Sequence, residues 1–136
     1  TMFIGILDSE SHSFRFSSAG HCAAFLCQAG ETPKALKGDG MVCGLCGDPF
    51  DQAASEESVE LPKGSWIVIN SDGLTEANNV RGEVYGDDAY LKSLSDVPEG
   101  SNAKQGSAVI WEQVMDHLER GALSDDCTLV CISREP

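Results

Sequence analysis

Apolar and polar positions divide this chain into a run of short strands, two helices and a last strand. Met2-Phe3-Ile4-Gly5-Ile6-Leu7 is almost wholly apolar, and Ser13-Phe14-Arg15-Phe16-Ser17 alternates so that both phenylalanines fall on one face. Residues 2–8 and 13–18 are therefore expected to be strands joined by the polar turn Asp8-Ser9-Glu10-Ser11-His12. Ala19-Gly20-His21 closes the second strand, and Ala23 to Cys27 is another short apolar run. Residues 38–58, rich in Gly, Asp, Glu and Ser, read mostly as loop. Val59-Glu60-Leu61 reads as a brief strand, and the turn Pro62-Lys63-Gly64 leads into the β-branched run Trp66-Ile67-Val68-Ile69-Asn70.

Beyond Gly82 and Gly86 the period changes. A helix is expected to begin near Asp87-Asp88, whose charges suit the positive end of a helix dipole, with Tyr90, Leu91 and Leu94 as its apolar stripe. After a polar loop over 95–106, Ala108, Trp111, Val114, Met115 and Leu118 recur at three- and four-residue steps and predict an amphipathic helix over 105–120, stopped by Gly121. Cys127-Thr128-Leu129-Val130-Cys131-Ile132 is the last strand, with Cys127 and Cys131 on one face as small buried hydrophobes. Strands followed by helices, without βαβ alternation, indicate an α+β fold.

The bulk numbers narrow the function. A chain of 136 residues is one domain, residues 1–136, with 41% hydrophobic residues and no compositional sign of disorder. Acids outnumber bases 22 to 9, for a net charge of −13. That balance excludes the basic footprint of nucleic-acid binding and attraction to an anionic membrane surface. No apolar run approaches the roughly 18 residues of a membrane span, and no signal peptide is visible. A cytoplasmic setting is expected, with the six cysteines as reduced thiols. The first residues read as a strand entered midway, as in a fragment.

The candidate chemistry lies at strand ends. Ser71-Asp72-Gly73-Leu74-Thr75-Glu76-Ala77 follows the 66–70 strand directly, placing a carboxylate just beyond the sheet, with Gly73 expected to allow a tight turn. Asp125-Asp126 precedes the last strand in the same way. Two acidic strand ends far apart in sequence point to a hard-cation centre built from two places in the chain.

These segments, with Gly82-Glu83-Val84-Tyr85-Gly86 before a helix, Ala19-Gly20-His21, and Gly44-Leu45 before an acidic loop, resemble the SpoIIE/RsbU-like bacterial branch of the metal-dependent serine/threonine phosphatases, the PPM family. The matches keep the family's order along nearly the whole chain. The resemblance implies a β-sandwich flanked by helices, with a two-metal Mn²⁺ or Mg²⁺ centre at which a bound water attacks a phosphoserine or phosphothreonine. By position it assigns Asp72 and Asp125 as metal ligands, with Asp126 as a further candidate. It implies a phosphoprotein substrate such as an anti-sigma-factor antagonist, and an upstream sensor or receiver domain.

The family's early Gly-Asp and Asp-x-x-Gly-His-Gly elements, which supply the bridging carboxylate, do not occur here. The chain thus resembles the C-terminal part of such a domain, lacking N-terminal strands and helices. By itself it is expected to be inactive or nearly so, and to self-associate through sheet edges left open. An alternative is a degenerate phosphatase-like module that binds without catalysis. A third possibility rests on Cys43-Gly44-Leu45-Cys46, a Cys-x-x-Cys that with Cys22 and Cys27 could hold zinc or act as a redox pair, although buried free thiols are the default. His21 is read as a packing or hydrogen-bonding residue, Asp87-Asp88 as a helix start, and the acidic stretch 48–60 as a solvated loop.

Overall fold

The computed structural model describes residues 1–45, 54–119 and 121–135. The strands are β1 (Met2–Asp8), β2 (Ser13–Ala19), β3 (Ala24–Cys27), β4 (Lys34–Leu36), β5 (Glu57–Glu60), β6 (Trp66–Asn70) and β7 (Leu129–Ser133). Between β6 and β7 come the helices α1 (Asp72–Thr75), α2 (Gly86–Ser95) and α3 (Ala103–Leu118). The strands form two antiparallel sheets, one ordered β1-β2-β5 and the other β4-β3-β6-β7.

Alternation along the strands builds two cores. Phe14 and Phe16 on β2 meet Leu26, Leu36 and Ile67 between the sheets. On β6, Trp66 and Val68 point the other way, toward Tyr90 and Leu94 of α2 and Ile110, Val114 and Leu118 of α3. The layers are therefore sheet on sheet, with helices on the outer face of the four-stranded sheet. No described helix covers the other sheet, and Met2, Ile4 and Ile6 of β1 stand 44–52% exposed there.

Several boundaries differ from the sequence expectation, each for a local reason. α3 begins at Ala103 because Asn102 caps it: its side chain accepts the Gln105 N–H at 2.9 Å while the Gln105 side chain accepts the Asn102 N–H at 3.0 Å. Its buried face is Gly106, Ile110, Val114 and Leu118; Ala108 and Met115 are exposed and Trp111 is half-buried. The stripe is rotated because Gly106 lies against the Trp66 ring, where a β-carbon would overlap ring carbons. β4 is a strand that the sequence pattern did not bring out, and residues 57–60 of the acidic stretch are a strand, paired with β2 from Ser13↔Glu60 to Phe16↔Glu57. Residues 46–53, including Cys46, lie outside the described residues.

Candidate functional site

Antiparallel pairing of β6 with β7 sets Asn70 opposite Leu129. Residues leaving β6 therefore meet residues entering β7. Asp72 and Asp125-Asp126, from distant parts of the chain, come to one end of the four-stranded sheet, and all three are exposed.

Ser71 joins the two segments. Its N–H donates to the Thr128 carbonyl at 3.0 Å, and its hydroxyl donates to the Asp126 carbonyl at 3.1 Å and accepts the Thr128 N–H at 2.9 Å. Although Ser71 occupies the N-cap position of α1, it makes no side-chain cap. The same bonds explain why β7 begins only at Leu129, not at Cys127: the Thr128 N–H goes to a side chain, not to a ladder.

Gly73 does not serve a left-handed turn. Asp72–Thr75 is one turn of helix, and Gly73 is absent from the positive-φ residues. It is needed because the Asp126 segment passes close by: a β-carbon there would come within 2.6 Å of the Asp126 carbonyl oxygen and 3.5 Å of Asp125 Cβ. The missing side chain lets the two acidic segments approach.

Behind the acids lies a polar support. Asn70 is buried, accepts the Tyr90 hydroxyl at 2.8 Å and donates to the Ser71 carbonyl at 3.0 Å. The Cys22 thiol donates to the Asn70 carbonyl at 2.8 Å. Burial, reinforced by the charges of Asp72 and Asp87, pushes the Cys22 thiol above its ordinary range. Burial, with Asp125 and Asp126, does the same to Cys127. The Cys22 thiol is turned to the Asn70 carbonyl, and the carboxylates of Asp72, Asp125 and Asp126 are the exposed oxygen donors at this end. Neither Asn70 nor Ser71 was singled out in the sequence; a polar residue closing an apolar strand was the available signal for Asn70.

Hard oxygen donors fit Mn²⁺ or Mg²⁺. Among the described residues, however, no group of three or more His, Cys, Asp or Glu side chains is placed to hold a metal ion. The acids therefore fit such a cation as part of a coordination shell. The remaining candidates take other places in the fold. His21 packs against the Phe3 ring, 6.2 Å between centroids, and its Nδ1 lies 3.4 Å from Thr1 Oγ1. Asp87 and Asp88 occupy the first turn of α2. Cys27 is buried in the helix-side core, whereas Cys43 is exposed.

The profile of the family described as stage II sporulation protein E (SpoIIE) matches residues 1–135. Among solved structures, the phosphatase domain of the cell fate determinant SpoIIE from Bacillus subtilis, presoaked with manganese, superposes with a TM-score of 0.71 at 17% identity, over 98% of this chain and 56% of that one. The SiaA PP2C domain of Pseudomonas aeruginosa gives 0.74 at 19% identity, over 98% and 51%. The RsbU and RsbW domains of a Mycobacterium tuberculosis protein give 0.69 at 21% identity, over 98% and 35%. The chain thus spans about half the length of the first two. No curated protein matches it significantly. No described helix is long and apolar enough to cross a membrane.

Proposed function

From the premise that this chain belongs to the SpoIIE family, we propose that it is the C-terminal part of a metal-dependent protein serine/threonine phosphatase domain. One observation carries this reading: Asp72 and the Asp125-Asp126 pair, 53 positions apart at the nearest, are hydrogen-bonded into a single acidic sheet end through Ser71. Asp72 and Asp125 would hold Mn²⁺ or Mg²⁺, with Asp126 beside them. A divalent cation at carboxylates neutralises phosphoryl charge and acidifies a bound water.

The chain's own residues supply placement. Ser71 keeps the two acidic segments in register, and Gly73 leaves room for their approach. Asn70 and Tyr90 lock the strand end to α2. The rest of the shell would come from sequence preceding Thr1, consistent with the share of the relatives that this chain covers. The substrate class is a phosphoserine or phosphothreonine protein, such as an anti-sigma-factor antagonist, and a sensor or receiver domain would regulate it.

The test is Mn²⁺-dependent phosphate release from a phosphoserine peptide, by the 136-residue chain and by the longer protein that carries it. The longer protein should be active, the chain alone nearly inactive, and Asp72→Asn should lower the activity by at least about 100-fold. Full activity of Asp72→Asn contradicts the proposal. A second reading, a binding module without catalysis, draws on the lack of a three-donor cluster among the described residues. It predicts that the longer protein is inactive too.

A further inference from the structure

A cleft of about 330 Å³ opens beside the acidic sheet end, lined by Cys22, Phe25, Lys37, Thr75, Asp87 and Leu91 among others. Its place follows from strand register. Phe25 of β3 sits between Ala35 of β4 and Val68 of β6. Continued by two residues, the same register puts Lys37, Ala23 and Asn70 in one row across the sheet, and all three line the cleft. α2 forms the opposite wall through Asp87, Tyr90 and Leu91.

The cleft is continuous with the candidate centre. Thr75, on its wall, donates its hydroxyl to the Asp72 carbonyl at 3.1 Å, and Asn70 donates to the Ser71 carbonyl. The floor is apolar: the Phe25 ring meets Tyr90 edge-on at 5.7 Å. Among the described residues Lys37 is the one cationic side chain lining it, in a chain of net charge −13. Lys37 is exposed and makes no ion pair among the described residues.

Distance decides what Lys37 could meet. β4 lies two strand spacings from β6, so the Lys37 backbone stands about 10 Å from that of Asn70, the residue two before Asp72. An extended peptide advances roughly 3.3 Å per residue, so 10 Å corresponds to about three residues of bound chain. The apolar floor suits a methylene stem, and the ammonium at its end suits a carboxylate. Asp87, on the α2 wall, disfavours a second acid on that side of the cleft.

The geometry points to a substrate subsite: the cleft takes a glutamate-type side chain about three residues from the phosphoserine, with Lys37 as its charge partner. The inference rests on the phosphatase reading given above. It makes Lys37 a specificity residue that does not touch the reacting atoms.

The experiment compares two phosphoserine peptides, with Glu or Lys at the third flanking position, and p-nitrophenyl phosphate, which has no flanking chain. The longer protein with Mn²⁺ should prefer the Glu peptide by about tenfold in kcat/KM, and Lys37→Glu should reverse that preference. Lys37→Glu should also affect the Glu peptide at least several-fold more than p-nitrophenyl phosphate. Equal losses on all three substrates, or an unchanged preference, overturn the subsite. Loss of all activity in Asp72→Asn, with no Lys37 effect on preference, leaves the phosphatase reading standing and removes this one. If no substrate is hydrolysed, the phosphatase reading fails, and binding of the Glu peptide to the 136-residue chain decides the cleft. Amide shift changes at Ala35, Lys37 and Leu91, weakened by Lys37→Glu, support it; their absence overturns it.

Discussion

Ser71 Oγ donates to the Asp126 carbonyl oxygen at 3.1 Å, across 55 positions of sequence. This hydroxyl also accepts the Thr128 N–H at 2.9 Å, so one small side chain holds the start of the β7 segment against the end of β6. Ser71→Ala should cost about 1 kcal/mol, since water can reach the freed groups. Hydrogen exchange should show the Thr128 amide losing protection while β6 keeps its own. Unchanged exchange at Thr128 would mean that backbone pairing alone holds the segment.

Gly73→Ala tests close approach against helix propensity. Alanine is favoured over glycine in a helix by about 1 kcal/mol. Here its β-carbon would press on the Asp126 carbonyl, so the variant should instead lose about 1–3 kcal/mol and weaken metal binding. Chemical denaturation and Mn²⁺ titration read the two effects. A stabilised variant would contradict the geometry.

Gly106→Ala should be more severe. Its β-carbon would overlap the Trp66 ring, which is 6% exposed and packed under α3. Overpacking at a buried ring should cost about 1–3 kcal/mol or more, seen as a lower denaturant midpoint. Near-UV circular dichroism of the tryptophans should change with it.

Stability should also fall at alkaline pH. Burial pushes the Cys27 thiol up to about 12 and the Cys131 thiol to about 11, from an ordinary 9.0. A folded pKa above the unfolded one gives stability that is whole below about pH 9 and lost as pH rises toward the folded values. Urea midpoints should therefore decline between pH 9 and 11, and less steeply in Cys27→Ala. In the native state at pH 8, Cys43 should react with a thiol reagent far faster than Cys27, because one is exposed and the other buried.

Exposed Met2, Ile4 and Ile6 on β1 lead to an expectation of self-association for the 136-residue chain. Sedimentation velocity should show concentration-dependent oligomers, reduced by Ile4→Lys with Ile6→Lys. A monodisperse monomer at high concentration would remove that expectation.

What the sequence showed, and what it hid, follows from side chains. The Phe14/Phe16 alternation and the Trp66–Asn70 run were legible because each is an apolar pattern with the period of its element. The family resemblance was legible in the Ser71–Ala77 and Asp125–Val130 segments, and the family match and the fold agree with it. The rotation of α3 was hidden because its contact with Trp66 is made by a glycine, which carries no hydrophobic signal. The one-turn helix at Asp72 was hidden because Ser-Asp-Gly chemistry equally suits a turn. The clamp by Ser71 depends on strand pairing between distant segments, which no local pattern encodes.

If the proposed function holds, Asp72 and Asp125 belong to one cation-binding end of the sheet. Titration of the 136-residue chain with Mn²⁺, followed by paramagnetic broadening of backbone amide signals, tests it without reference to activity. Amides at Asp72, Gly73, Asp125 and Asp126 should broaden first and together, and Asp72→Asn should abolish broadening at Asp125. Broadening centred on Asp87-Asp88, or at only one of the two acidic segments, would contradict it.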